Sequence, residues 1–181
     1  MNKKRIFVIV GSASSHSSNH TLAEYIIREM YNTFEFVQWD DLRTLPHFNP
    51  EESINNPPDV VREFRNAIDE CDAVMICTPE YIMSIPSGLK NAFEWCVATT
   101  VFYNKPVGLI TASAGGTHAH AELQLIATTV SATCIPEATL LISGIKGKIH
   151  QHGVITHAET EQVVQSFIHS FTEFVLSQGT K

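Results

Sequence analysis

The chain has 181 residues, and we expect residues 1–181 to form a single domain with a full hydrophobic core. Apolar residues make up 44% of the sequence and charged residues 17%, a balance that excludes a disordered chain. The net charge is −7, and no basic cluster exceeds Lys3-Lys4-Arg5. A nucleic-acid surface needs a basic stripe to release counterions, so we expect no nucleic-acid partner.

The cysteines and the apolar runs predict the cellular compartment of the protein. No cysteine pair has C-x-x-C spacing, and three of the four lie inside apolar runs, which is typical of buried free thiols in a reducing cytosol. The apolar run at 6–10 follows basic residues but is too short for a signal peptide. No stretch approaches the roughly 18 apolar residues of a membrane span. We therefore expect a cytoplasmic protein with no membrane partner. The cysteines are Cys71, Cys77, Cys96 and Cys134.

In chain order, strands alternate with helices. Residues 6–10 form a continuous β-branched run, as expected of a strand buried on both faces of a sheet. Apolar residues then recur at helical spacing from Leu22 to Met30, before a short strand at 34–37. A long connection at 40–58 contains four prolines and precedes a second amphipathic helix, from Val60 to Ile68.

The second half of the chain repeats the alternation. Strands are predicted at 73–77, 107–111 and 139–142, with helices between them and a closing helix near 163–175. Such units favour an α/β fold with a parallel sheet. Five strands fit a flavodoxin-like, three-layer, doubly wound fold with strand order 2-1-3-4-5 better than a six-stranded dinucleotide fold. Residues 144–156 are irregular, and we expect them to wrap the surface.

Ligands of such sheets bind beyond the carboxyl ends of the strands, near the switch in strand order. The first loop there reads Gly-Ser-Ala-Ser-Ser-His-Ser-Ser-Asn at 11–19 and leads directly into a helix. Its hydroxyls and the free N–H groups of the helix suit a phosphate. Alternatively, Ser18 or Asn19 merely caps the helix. The loop lacks the Walker A and G-x-G-x-x-G patterns, which argues against ATP and a Rossmann-bound NAD.

Two further loops lie at the same predicted edge. Residues 78–86 contain two prolines, which stiffen the loop and fix its backbone N–H groups in place. These N–H groups could donate hydrogen bonds to a flat heterocycle. The alternative is a rigid turn with Tyr81 as a packing residue. The paired Gly115 and Gly116 let a ligand approach the backbone closely, or else form a flexible turn.

Together these segments resemble the NADPH-dependent FMN reductase family, a flavodoxin-like group that includes azo, quinone and chromate reductases. The resemblance rests on G-S-x-x-x-x-S-x-N from Gly11, P-E-Y-x-x-S-x-P-x-x-L-K-N-A from Pro79, and S-x-G-G from Ser113. It implies FMN as the cofactor and NADPH or NADH as the co-substrate. The chain departs from the family pattern at Ser14, where an arginine is usual, and at Ile82, where a polar residue is usual.

The resemblance also implies which residues bind FMN. The loop at 11–19, called the phosphate loop below, would hold the phosphate. The loop at 78–86, called the second loop, would border the isoalloxazine ring, and the loop at 113–117 would lie near the pyrimidine end of the ring. The residues implied are Ser12, Ser14, Ser17, Ser18, Asn19, Pro79, Glu80, Tyr81, Ile82, Ser113, Gly115 and Gly116.

The paired histidines predict no metal site. His118 and His120 are two residues apart, as are His150 and His152, but no cysteine or carboxylate at ligand spacing supports either pair. We expect these side chains to be solvated surface residues. The G-x-S-x-G elbow of a hydrolase is also absent.

The sequence therefore predicts an oxidoreductase in which FMN takes hydride from NAD(P)H and reduces a small-molecule acceptor: a quinone, an azo compound or free flavin. One alternative is a flavodoxin-like carrier that passes electrons to proteins. Another is a regulatory module that has lost flavin. The family resemblance further implies a homodimer or homotetramer, with the apolar segment at 93–102 as a candidate interface.

Overall fold

The computed structural model describes residues 3–14, 16–39, 41–150 and 153–179. Five strands form one parallel sheet in the order β2-β1-β3-β4-β5, which confirms the predicted topology. Each strand was predicted to within two residues at either end. The strands are β1 (Arg5–Val10), β2 (Glu35–Gln38), β3 (Ala73–Thr78), β4 (Val107–Ser113) and β5 (Thr139–Ser143).

Helices cover both faces of this sheet, because its central strands are apolar on both sides and must be shielded from water twice. Short 3-10 turns at Leu42–Thr44, Pro136–Ala138 and Ile145–Gly147 complete the described secondary structure. The helices are α1 (Ser18–Met30), α2 (Pro50–Asn55), α3 (Asp59–Asp69), α4 (Ser87–Cys96), α5 (Thr117–Thr129) and α6 (Ala158–Ser177).

The sheet divides the core into two apolar clusters. On one face, α1 and α6 pack against side chains such as Val8 and Met75. On the other face, α3, α4 and α5 pack against Phe7 and Ile76, and the Phe7 ring meets the Phe64 ring edge to face at 5.7 Å. Neighbouring residues of one strand thus serve different clusters, as the pleat of a strand requires.

The long connection at 40–58 contains a helix that was not predicted. Asn49 caps α2, since its side-chain oxygen accepts from the N–H of Glu51 at 3.0 Å. Arg65 of α3 is 9% exposed and holds α2 in place: it donates to the backbone oxygen of Ser53 at 3.2 Å and to that of Trp95 at 2.8 Å. The connection is therefore a folded part of the α3–α4 side.

The aromatic side chains of residues 93–102 belong to the core, which corrects the predicted interface. Phe93 and Phe102 are 4% and 3% exposed, and their ring centroids lie 5.4 Å apart. These rings are unavailable to a second subunit; Val97 and Tyr103, each 62% exposed, are the apolar residues that this region presents to solvent.

Of the four free cysteines, three are buried and Cys134 is half-buried. None of the described helices is both long enough and apolar enough to cross a bilayer.

Candidate functional site

The register of the parallel strands brings the predicted loops together at one edge of the sheet. Val10 lies beside Cys77, and Cys77 lies beside Ile110, so β1, β3 and β4 end at similar heights. Gly11 continues this pairing by donating its N–H to the Cys77 oxygen at 2.8 Å. A Cβ atom on Gly11 would lie 2.4 Å from the Thr78 hydroxyl, so only glycine permits this close approach.

Ser12, Ser17 and His20 make the hydrogen bonds that fix the described residues of the phosphate loop. Ser17 caps α1, because its hydroxyl oxygen accepts from the His20 N–H at 3.3 Å, and it also lies 2.9 Å from His20 Nδ1. Burial lowers the pKa of His20, which favours its neutral ring. Ser12 accepts from the N–H of Ser14 at 3.3 Å and contacts the Tyr81 hydroxyl at 3.3 Å.

Asn19 fastens the phosphate loop to the sheet. Its side chain is 3% exposed, donates to the Ala112 oxygen at 3.0 Å and accepts from the Cys77 thiol at 3.4 Å. Burial raises the pKa of Cys77, so the thiol remains a neutral donor. The side chain of Asn19 thus links the ends of β3 and β4, while its backbone lies in the first turn of α1.

The second loop is a two-residue hairpin. Tyr81 and Ser84 exchange backbone hydrogen bonds of 2.9 and 3.1 Å. The residues between them adopt left-handed backbone, with φ of 51° at Ile82 and 58° at Met83. A β-branched residue rarely adopts this conformation, whereas asparagine adopts it readily, so Ile82 is strained. Its side chain is 99% exposed and Tyr81 is 41% exposed.

Two carboxylates brace the second loop against α5. Glu80 accepts from the N–H groups of Gly116, His118 and Ala119 at 3.0–3.3 Å, and these bonds, that from Ala119 first, lower the pKa of Glu80. Gly116 itself has φ 103°, which suits glycine.

The second carboxylate belongs to α5 and accepts hydrogen bonds from the second loop. Glu122 of α5 accepts from the Ser84 hydroxyl at 2.6 Å and from the Ile85 N–H at 2.9 Å. The hairpin is therefore tied to α5 at its base while its tip projects into solvent. No sequence motif identified Glu122, because its role depends on the packing of α5 beside the hairpin.

These loops enclose a cleft of about 820 Å³, within the range of cofactor sites. Of the twelve predicted FMN-binding residues, Ile82, Gly115 and Gly116 are not part of its described lining, and flavin contacts remain predictions for all twelve. The predicted residues that line the cleft are Ser12, Ser14, Ser17, Ser18, Asn19, Pro79, Glu80, Tyr81 and Ser113.

The segment between β5 and α6 is predicted to wrap the surface. Its residues from Gly144 to His150 also form a wall of this cleft. Its lining residues include Ile145, Lys146 and Ile149. The sequence Gly-Ile-Lys-Gly at 144–147 matches no recognised motif, so only the fold shows that Lys146 lies at the cleft. His150 also lines the cleft, and His152 lies outside the described residues.

A second cleft of about 880 Å³ lies on the other side of the hairpin. It shares Ser12 and Tyr81 with the first cleft, so the two are separated by a single side-chain contact. The loop after β2 and the start of α4 supply most of its lining, which includes Arg43 and Lys90. Both cations are paired, Arg43 with Asp41 at 2.8 Å and Lys90 with Glu94 at 3.0 Å.

The first histidine pair is only partly a surface pair. His118 is exposed, as predicted, but His120 is half-buried and its Nδ1 lies 3.0 Å from the buried Thr111 hydroxyl. Burial lowers the pKa of His120. Within the described ranges, no three His, Cys, Asp or Glu side chains are grouped so that they could hold a metal ion.

The five-stranded parallel sheet in the order β2-β1-β3-β4-β5, with helices on both faces and a cleft at the carboxyl ends of its strands, defines a flavodoxin-like protein. Residues 4–147 match the family described as NADPH-dependent FMN reductase, and the chain belongs to that family.

Relatives of known activity align with nearly the whole chain. The chain is 28% identical to a 2-hydroxy-1,4-benzoquinone reductase of Burkholderia sp, over 94% of this chain and 96% of that protein. It is 29% identical to subunit 2 of an NADH-dependent flavin reductase of Lactobacillus johnsonii, with 94% and 97% covered.

A solved structure is similar over the same extent. The flavoenzyme NAD(P)H:(acceptor) oxidoreductase FerB of Paracoccus denitrificans superposes with a TM-score of 0.82 at 26% identity. The match covers 98% of this chain and 100% of the FerB chain. The fold comparison thus agrees with the family assignment.

Proposed function

We propose that this protein is an FMN-dependent NAD(P)H oxidoreductase that reduces a small acceptor such as a quinone, an azo compound or free flavin. The observation that carries the proposal is the cleft of about 820 Å³ formed by the loops after β1, β3, β4 and β5. It combines a phosphate-binding loop at one end with rigid, half-apolar loops at the other. FMN has the same division between a charged phosphate and a flat ring.

The phosphate end suits a dianion because its donors converge. Ser12, Ser14 and Ser17 supply hydroxyls, and the first turn of α1 supplies N–H groups that have no acceptor within the helix. Each hydrogen bond to a charged group contributes about 1.5–3 kcal/mol, so several together can hold a phosphate. Asn19 is proposed to position this loop from below, since its side chain is already bonded to Ala112 and Cys77.

The ring end suits a flat heterocycle. Pro79 and Tyr81 are proposed to border the ring on one side, with Ser113 near its pyrimidine edge. Bound FMN supplies the redox chemistry, accepting hydride from NAD(P)H and passing two electrons to the acceptor. The protein then needs to hold the ring, exclude competing water and present N–H donors to the charge on the reduced ring.

The second cleft is the proposed approach for the co-substrates. It opens beside Tyr81, which also lines the flavin cleft, so a molecule bound there would lie next to the ring end. No second nucleotide-binding motif is present in the sequence. NAD(P)H and the acceptor are therefore proposed to use one approach in turn.

Two measurements separate this proposal from its alternatives. Purified protein mixed with FMN should show a shifted flavin absorption spectrum, and it should then oxidise NADPH or NADH steadily when a benzoquinone is present. A flavin spectrum without NAD(P)H oxidation would favour an electron carrier. The absence of any bound flavin would favour a regulatory module and would contradict the proposal.

We further propose that the protein works as a homodimer or homotetramer in the cytoplasm. Ile82 and Met83 at the hairpin tip are 99% and 67% exposed, and Leu125, also 67% exposed, lies one helical turn beyond Glu122. These apolar side chains suit a contact between copies, and the free thiols suit a reducing compartment. A monomer by light scattering at micromolar concentration would contradict the assembly.

A further inference from the structure

The wall between β5 and α6 is fixed in position by its neighbours. The N–H of Gly144 donates to the Ser113 oxygen at 2.7 Å and to the Ala114 oxygen at 3.1 Å. Ile145 and Ile149 are 3% and 7% exposed and belong to the core cluster on the α1–α6 side. The wall thus begins at the loop after β4 and is anchored on either side of Lys146.

The far end of the same wall is tied to α1. Arg28 of α1 donates to the Gly153 oxygen at 3.1 Å, and a Cβ atom on Gly153 would lie 3.9 Å from the methyl group of Thr21. Thr21 is in the first turns of α1, directly after the phosphate loop. The described residues thus fix this segment at the end of β4 and at α1, and its part between Gly144 and His150 lines the cleft together with the phosphate loop.

Lys146 is the charged side chain that this wall brings to the cleft. It is exposed, lies in the 3-10 turn Ile145–Gly147, and makes no ion pair or hydrogen bond with the side chains and backbone that the structure describes. The other fully charged group of the described lining is Glu80, whose carboxylate is occupied by N–H groups of α5. His16, His150 and Tyr81 are the remaining titratable residues of the described lining.

The phosphate loop itself contains no lysine or arginine. A phosphate bound at residues 11–19 would meet hydroxyl and N–H donors, the titratable His16 and the partial charge of a helix end, but no permanent cation. A lysine ammonium on a flexible stem can reach across a cleft and neutralise an anion as a point charge. We propose that Lys146 is the cation that pairs with the phosphate of the bound flavin nucleotide. This inference rests on the function proposed above.

Binding of FMN and riboflavin separates a charge effect from a structural one, since riboflavin has the ring but lacks the phosphate. Dissociation constants would be measured by flavin fluorescence for wild type, Lys146→Gln, Lys146→Arg and Lys148→Gln. Lys148 is the matched control, because it lies two residues further along the wall and does not line the cleft.

We expect Lys146→Gln to raise the FMN dissociation constant about tenfold at low salt and to leave riboflavin binding unchanged. Lys146→Arg should retain most of the FMN affinity, and Lys148→Gln should match wild type. Added salt should weaken FMN binding to wild type more than binding to Lys146→Gln.

Equal losses for FMN and riboflavin in Lys146→Gln would show a structural role and overturn the inference. Unchanged FMN binding in Lys146→Gln would overturn it as well. If wild type bound neither flavin, both this inference and the proposed function would fail, whereas FMN binding by wild type with no effect of Lys146→Gln would leave the proposed function standing.

Discussion

Ser17 and Asn19 lie two residues apart, but the contacts of their side chains differ. Ser17 caps α1 and lines the cleft, whereas the amide of Asn19 is buried between Cys77 and Ala112. The family resemblance implies that both bind the phosphate. The geometry suggests that one contacts the ligand and that the other supports the loop from below.

We therefore expect different effects from the two alanine variants. Ser17→Ala should cost about 1 kcal/mol of stability, the usual value of a helix cap, and weaken FMN binding more than riboflavin binding. Asn19→Ala should cost about 1–3 kcal/mol, because it removes the side-chain partner of both the Ala112 oxygen and the Cys77 thiol, and it should weaken the binding of both flavins equally. Urea unfolding of apo protein and flavin titrations measure these effects. A fully stable Asn19→Ala protein would contradict the supporting role.

Ile82 gives a second test at a single residue. Its left-handed backbone is strained for a β-branched side chain, and within one subunit burial offers no compensation because the side chain is 99% exposed, so unfolding is compared at concentrations where the protein is monomeric. Ile82→Asn should raise the free energy of unfolding by about 1 kcal/mol, since asparagine tolerates this conformation. Val97→Asn, at an exposed position with φ −62°, is the control and should bring no gain. A less stable Ile82→Asn protein would contradict the assignment of strain.

At the scale of elements, the hairpin and α5 form one unit through Glu80 and Glu122. Glu80 acts as the cap that Gly116, which has no side chain, cannot provide for α5. Hydrogen bonds from backbone N–H groups stabilise the ionised carboxylate and lower the pKa of Glu80 below its ordinary value of 4.5. The contribution of Glu80 to stability should therefore depend on pH.

The sign follows from the lowered pKa. The stabilisation is fully present above the unfolded pKa of about 4.5 and is lost as pH falls through the lower, folded pKa. Glu80→Gln should thus be less stable than wild type at pH 7, and the difference should shrink below pH 4.5. Urea unfolding at pH 7 and pH 3.5 measures it, with Glu63→Gln, at an exposed position of α3, as a control for net charge. A difference that is the same at both pH values would argue against an ionised cap.

The elements also show how far the sequence is predictive. All five strands contain a short apolar run, and the runs are longest in β1, β3 and β4, which are buried on both faces. Helix α2 was missed because six residues give no apolar period, although Asn49, Pro50 and Glu51 form a recognisable helix start. Glu122 and Lys146 were missed for a different reason. Each reaches the site through packing between distant segments, which no local pattern records.

At the scale of the whole molecule, the strand order explains why one edge carries the site. Strands β1, β3 and β4 end together, so three short loops from distant parts of the chain meet there. The loop after β5 closes the cleft on one side, and the hairpin separates it from the second cleft on the other. If the flavin ring lies where we propose, with one open approach, the two co-substrates should bind one after the other.

The central claim is that electrons pass from NAD(P)H to FMN held in this cleft and then to the acceptor. The most direct test is anaerobic spectroscopy of the FMN-loaded protein. Addition of NADPH or NADH without acceptor should bleach the oxidised flavin absorption, and a stoichiometric amount of benzoquinone should restore it. Initial rates with both co-substrates should then give parallel double-reciprocal lines, as expected of a two-step transfer. A bound flavin that neither NADPH nor NADH bleaches would contradict the account.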